Sequence, residues 1–323
     1  MKITKFYLLL LFGLTIFWGV SSSSWFSMWM ALEMNGMMFI PLMWLHSTQH
    51  HIESIMKYFL IQSVSSMTLI GLSGSMNLPI FLCYTNLVYM MLFFTLLLKI
   101  GMFPFLFWYI EVINKCTFLS MLMIMTIQKL LPVIMISFIM DQLSNVMFVL
   151  ICINALVGAL MGLNQTVIKK IIGYSSVSHM SWLIVSVLKG CSIFIIYFSV
   201  YSMILLCLVM FIERSILKNF MELLMLKDSL FSMNILSLAG VPPFSGFIMK
   251  WVVIDSLLSM NLILVSIILI LSSLISLYFY LRMMMIVPMN FLVKMKSQVS
   301  GFYFSFLMIL NLMLFPLLIV IYL

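Results

Sequence analysis

The sequence predicts an all-α, polytopic membrane protein. It would be a bundle of about eleven transmembrane helices, forming two inverted five-helix repeats with a broken helix in each. Three observations carry that prediction. The first is composition: 65% of the 323 residues are hydrophobic and 7% charged, with a mean hydropathy of +1.27. A soluble domain needs far more polar surface to cover its core. The second is that the apolar runs are long and lack period-2 alternation. In hydrocarbon every backbone N–H and C=O must be paired within the protein, so such runs satisfy themselves as helices rather than as a barrel. The third is a pair of matching interruptions, described below.

The segments read at about 6–22, 25–45, 54–74, 79–113, 117–139, 144–163, 167–188, 192–212, 230–258, 261–287 and 301–322. This leaves no room for a separate soluble domain. The first segment follows Lys2 and Lys5 and precedes Ser21–Ser24, as a signal peptide would. A retained span is the better reading, since nothing downstream resembles a translocated soluble domain. The net charge of +8 would point to nucleic acid on a soluble protein; here it reads as topology, with no nucleic-acid partner. Lys2, Lys5, Lys57, Lys115, Lys169, Lys170, Arg214, Lys218, Lys227, Lys294 and Lys296 fall at the N-terminus and even-numbered connections, and Lys189 alone at the odd ones. The N-terminus is therefore expected on the cytoplasm-equivalent side and the C-terminus opposite. Met (35) and Phe (28) are abundant, while Arg (2) and Ala (4) are scarce. Such a bias favours AT-rich codons and an extra Met codon, as in an animal mitochondrial gene.

Two segments are broken. In 79–113 the interruption is Gly101-Met-Phe-Pro104-Phe105, and in 230–258 it is Gly240-Val-Pro-Pro243-Phe244; both read G-x-x-P-F. Proline removes a helix donor and frees a carbonyl, which a membrane protein tolerates only where protein or water satisfies it. Paired broken helices in corresponding positions mark a transporter-like repeat. The halves would be 1–140 and 141–290, with 291–323 as a C-terminal connection and last helix. Five spans per half make the repeats inverted.

Glu33, Lys99, Lys129 and Lys250 lie well inside apolar segments. A charge at the centre of a span costs roughly 2.5–3.5 kcal/mol on insertion scales, so it needs a partner, water or a task. The bland reading is a set of static ion pairs or snorkelling stems, which suits Arg282 and Lys57 near helix ends. It suits Lys129 poorly, midway along its segment. Lysine fits a proton carrier, because burial can bring an amine from a pKa of about 10.4 to roughly 5–6 and a neighbouring carboxylate reverses this. One charge crossing a membrane potential costs about 2.3 kcal/mol per 100 mV, within reach of such coupling.

Other groups read more plainly. The five cysteines are scattered and suit apolar filler. His46, His50 and His51 sit in a connection without acidic or Cys company and suit a solvated loop. His179 is open between a packed, hydrogen-bonded histidine and a proton relay. Asp255 reads as interfacial. Glu213, Arg214, Lys218, Glu222, Lys227 and Asp228 read as an amphipathic surface helix. No phosphate loop, paired axial His or triad is visible, so a redox cofactor site is not expected in this chain.

Taken together, Trp29–Asn35, Lys99–Trp108, Gln128–Pro132, Leu163–Trp182 and Ser237–Trp251 resemble the subunit-2 family of mitochondrial NADH–ubiquinone oxidoreductase, respiratory complex I. Eleven spans also look like the animal form of that family, which lacks three N-terminal helices of its bacterial relatives. The resemblance implies an antiporter-like, proton-pumping subunit of an inner-membrane enzyme, with its N-terminus in the matrix and its C-terminus in the intermembrane space. Glu33 and Lys99 would be its interacting pair, Lys129 its central lysine and Lys250 the lysine of the second broken helix. NADH, FMN, iron–sulfur clusters and ubiquinone would be bound by other subunits. Partners would be antiporter-like neighbours, small core subunits and lipids such as cardiolipin. The chain departs from the family at Leu106 and Ile110, where His and Pro are usual, and keeps the four charged positions. The competing readings are a cation/proton antiporter on the same fold and a structural spacer with static charges. The eleven-span form argues against the antiporter, because it exposes a face suited to a permanent partner.

Overall fold

The computed structural model describes residues 2–44, 49–76, 85–215 and 229–286. Every regular element among them is an α-helix: α1 (Lys2–Ser21), α2 (Trp25–Trp44), α3 (Gln49–Ser75), α4 (Thr85–Ile100), α5 (Leu106–Lys115), α6 (Phe118–Met125), α7 (Ile127–Ser137), α8 (Met140–Leu163), α9 (Ile168–Lys189), α10 (Cys191–Ser215), α11 (Ser229–Ala239), α12 (Ser245–Ser259) and α13 (Ile263–Ile286). Six helical stretches among the described residues are long and apolar enough to cross a membrane; Phe6–Ser21 and Thr85–Ile100 are shorter apolar helices. The expected last span at 301–322, Lys218, Glu222, Lys227 and Asp228 of the expected surface helix, His46, and the side chains of Arg214 and His50 lie outside the described residues.

The starts of the helices follow from local chemistry. The Ser24 hydroxyl accepts the Ser27 N–H at 3.3 Å where α2 begins, and the Thr117 hydroxyl accepts the Ser120 N–H at 3.4 Å where α6 begins. Each satisfies a donor that the first turn leaves without an intrahelical acceptor.

The chain forms two compact units, 1–150 and 151–323, and their boundary falls within α8. In the first unit α1 packs on α2, α2 on α3, and α3 on both α4 and α5; α7 is seated against α1, α2 and α4. In the second unit α9 packs against α10, α12 and α13, and α11 against α10, α12 and α13. Within that unit α8 approaches α9 backbone to backbone. A Cβ on Gly158 would lie 2.9 Å from the Ser178 nitrogen and 3.1 Å from the Tyr174 carbonyl oxygen. Small residues permit this approach, which supplies the dispersion contacts that join helices in lipid. The helix α9 carries buried Ser175, Ser176, Ser178 and Ser186, each donating its hydroxyl to the carbonyl three residues earlier. Those bonds let a serine-rich helix be buried without unsatisfied hydroxyls.

Both G-x-x-P-F interruptions break the helix in the same way. Gly101 has φ 77 and Gly240 φ 78, in the left-handed region that ends helices. Gly101 and Met102 both donate to the Leu97 carbonyl, at 2.9 and 3.1 Å; Gly240 and Val241 both donate to the Leu236 carbonyl, at 3.1 and 3.2 Å. Pro104 and Pro243 then stand four residues past Ile100 and Ala239, where a helix would offer them an N–H. The two carbonyls are left without a helical donor.

A third break falls where the sequence reads a single span. The stretch 117–139 bends at Thr126 (φ −114, ψ −83), separating α6 from α7. The Thr126 hydroxyl bonds back to the Leu122 carbonyl at 2.8 Å, and Lys129 opens the next turn through a 3.1 Å bond to the Thr126 carbonyl. Lys129 therefore lies between a bent turn and Pro132, inside α7.

Candidate functional site

In the first unit the four-helix neighbourhood of α7 gathers three of the charged positions. Lys99 is 7% exposed, on the last turn of α4 just before the Gly101 break. Its backbone carbonyl accepts Gln62 Nε2 from α3 at 3.2 Å. Glu33, on α2, is half-buried rather than fully enclosed. It stands within electrostatic range of both Lys99 and the buried Tyr58 without forming a direct ion pair with the lysine. Two residues along, Asn35 is buried with no hydrogen-bond partner for its Oδ1 among the described residues. Lys129 is 2% exposed, and its Nζ lies 4.6 Å from the centre of the Tyr109 ring. Gln128 Nε2 and Trp108 Nε1 are also buried without a hydrogen-bond partner among the described residues. Buried polar atoms of this kind are where ordered water is found.

An aromatic row links these groups. The Tyr58 and Trp108 rings lie 6.4 Å apart, and Trp108 meets Tyr109 edge-on at 6.0 Å. The row therefore runs from the Tyr58 near Glu33 to the Tyr109 over Lys129. Sequence reasoning missed Tyr109, because an aromatic in an apolar helix reads as packing.

In the second unit Lys250 is 7% exposed and its stem lies across the second break. A Cβ on Gly240 would meet its Cδ and Nζ at 3.0 Å each. Nζ donates to the Ala239 carbonyl at 2.8 Å, the carbonyl that Pro243 leaves without a helical donor. The ammonium thus closes the broken helix end, where a cation is also favoured by the helix dipole. His179 is 3% exposed on α9; its Nδ1 and the Tyr197 hydroxyl are 2.8 Å apart, with the Tyr201 ring at 5.2 Å. That geometry is a packed, hydrogen-bonded histidine, and a hydrogen-bonded imidazole–phenol pair can also pass a proton. Asn154 cross-links α8 to α9 through bonds of 2.9 Å to the Val177 carbonyl and the Ser181 hydroxyl.

Two residues expected to snorkel do something more specific. Arg282 Nη2 donates to the Gln165 carbonyl at 2.9 Å, just past the end of α8. Lys57 joins Glu53 at 3.1 Å and Glu111 at 2.6 Å, while Lys115 bonds Glu53, so α3 and α5 are tied by a quartet of alternating charge. The quartet is exposed, where ion pairs contribute little and salt screens them. Glu111→Gln is expected to lower the thermal stability of the assembled protein only slightly. The melting curves of variant and wild type should converge as salt is raised, and a loss independent of salt would show the quartet to be more than a surface tie.

Residues 22–276 match the family described as NADH:quinone oxidoreductase/Mrp antiporter, TM. The chain is 35% identical over 293 residues to NADH-ubiquinone oxidoreductase chain 2 of Anopheles gambiae, covering 86% of this chain and 83% of that one. It is 35% identical over 327 residues to the same-named chain of Myxine glutinosa, covering 92% and 91%. Among solved structures, a chain of respiratory complex I from Thermus thermophilus matches with a TM-score of 0.82 and 20% identity, covering 97% of this chain and 77% of that one. A chain of an archaeal membrane-bound sulfane sulfur reductase matches with a TM-score of 0.81 and 16% identity, covering 96% and 71%. At those identities the structures speak for the fold, and the family model and the sequence relatives speak for kinship. The chain belongs to the transmembrane family of NADH:quinone oxidoreductase and Mrp antiporter subunits.

Proposed function

We propose that this chain is a core membrane-arm subunit of a respiratory NADH:ubiquinone oxidoreductase and takes part in redox-coupled proton translocation. The observation that carries the reading is the burial of Lys99, Lys129 and Lys250 in apolar helices, each beside a helix break. Amines so costly to bury are kept for a task. The balance between the charged and neutral amine depends on where the nearest carboxylate stands. In this reading a change in the Glu33–Lys99 interaction is passed on to Lys129, the next buried amine of the first unit. Lys250 is the carrier in the second, and the His179–Tyr197 pair is a relay there.

The finer features belong to the same reading. The chain has about eleven spans in two inverted repeats. It lies in the mitochondrial inner membrane with its N-terminus in the matrix and its C-terminus in the intermembrane space, as the lysine distribution supports. It holds no redox centre; NADH, FMN, iron–sulfur clusters and ubiquinone are bound by other subunits. Antiporter-like neighbours, small core subunits and cardiolipin cover its exposed apolar helices.

The test is Lys129→Met in the intact complex. The number of protons translocated per electron is expected to fall while the complex still assembles, because methionine fills the same volume without a charge. An unchanged ratio would leave the buried charges as static structure and the chain as a spacer.

A further inference from the structure

We propose that Tyr109 is a positioning residue for Lys129, holding its ammonium against the ring face; this rests on the proton-carrying role of Lys129 argued above. Lys129 Nζ lies 4.6 Å from the ring centre, inside the distance at which a cation is drawn to an aromatic quadrupole. Both residues are buried, Tyr109 at 1% exposure, so the attraction is not screened by bulk water.

The ring is itself fixed from three sides. Its Cβ and Cγ pack on the backbone of the first break, where a Cβ on Gly101 would come within 2.5 and 2.8 Å of them. Trp108 meets the ring edge-on. The helix that carries it, α5, is tied to α3 by Glu111 and Lys115, two and six residues further along. Tyr109 therefore connects the broken helix bearing Lys99 to the lysine of α7. A movement of the break moves the surface on which the ammonium rests.

A desolvated contact of this kind shifts an equilibrium by about 30-fold. Without it, the ammonium leaves its site correspondingly more often, and proton transfer loses its timing against the Glu33–Lys99 change. The phenol hydroxyl is not needed for this; the ring is.

The experiment compares Tyr109→Phe, Tyr109→Leu and Lys129→Met in the intact complex, reading protons per electron normalised to assembled complex. Leucine keeps a Cβ and Cγ to pack on Gly101 and removes the π-face along with the hydroxyl, which Tyr109→Phe removes alone. Tyr109→Phe is expected to translocate at the wild-type ratio and Tyr109→Leu at the ratio of Lys129→Met. Should Tyr109→Leu not assemble, Tyr109→Met, equally without a π-face, carries the same expectation. A wild-type ratio in the leucine or methionine variant, with Lys129→Met impaired, overturns the role of Tyr109 and leaves that of Lys129 standing. An equal loss in Tyr109→Phe also overturns it, since the hydroxyl would then be what matters. A wild-type ratio in Lys129→Met removes the underlying reading, and the inference with it.

Discussion

Gly246→Ala is expected to abolish accumulation of the assembled complex, the largest effect of any glycine-to-alanine change among the described residues of the second unit. A Cβ at Gly246 would lie 1.6 Å from the Ser237 carbonyl oxygen and 2.8 Å from its carbon. The obstacle is backbone, so no side-chain rotation relieves it. Either α12 moves away from the last turn of α11 or the end of α11 unwinds. Overpacking of a fixed site costs roughly 1–3 kcal/mol, and a clash with a carbonyl belongs at or beyond the top of that range. The geometry at stake is also functional: Lys250 is one helical turn past Gly246 and reaches Ala239, two residues past Ser237. Gly71→Ala is the control, since nothing lies within 4 Å of its Cβ position. Native-gel quantification should show normal complex for Gly71→Ala and little or none for Gly246→Ala. Equal amounts of both would mean that the α11–α12 approach is looser than described.

The sequence made the helical class and two of the breaks legible for one physical reason: hydrocarbon leaves the backbone few choices. Long apolar runs must be helices, and a glycine followed three residues later by proline must interrupt them. Lys99, Lys129 and Lys250 stood out because charge in an apolar run is costly, and all three are buried. What stayed hidden depends on neighbours distant along the chain. The bend at Thr126 has Pro132 as its nearest signal, six residues too late, and proline alone does not say which turn gives way. Glu53 and Lys57 meet Glu111 and Lys115 across more than fifty residues, so nothing local in the sequence pairs them. Arg282 finds the Gln165 carbonyl 117 residues away. Glu33 is less enclosed than its apolar surroundings imply. The role of Tyr109 follows only from seeing what lies over its face.

Lys250→Met and Lys250→Gln are expected to separate two duties that one amine performs. As a donor, Nζ satisfies the Ala239 carbonyl, left without a helical partner by Pro243. As an ionisable group, it can carry a proton. Methionine removes both capacities. A buried carbonyl stripped of its donor costs about 1–3 kcal/mol, so the variant should yield less assembled complex and dissociate at lower temperature. Glutamine is one bond shorter but keeps an N–H that can turn towards the same carbonyl, and it cannot be charged. Lys250→Gln should therefore assemble near the wild-type level yet translocate fewer protons per electron, by as much as Lys250→Met does per assembled complex. If Lys250→Gln pumps at the wild-type ratio, the lysine is a cap for the broken helix and no more. If Lys250→Met is as stable as Lys250→Gln, the hydrogen bond to Ala239 contributes little and the amine is kept for its charge alone. The two variants thus ask whether the second break exists to hold the lysine or the lysine to hold the break.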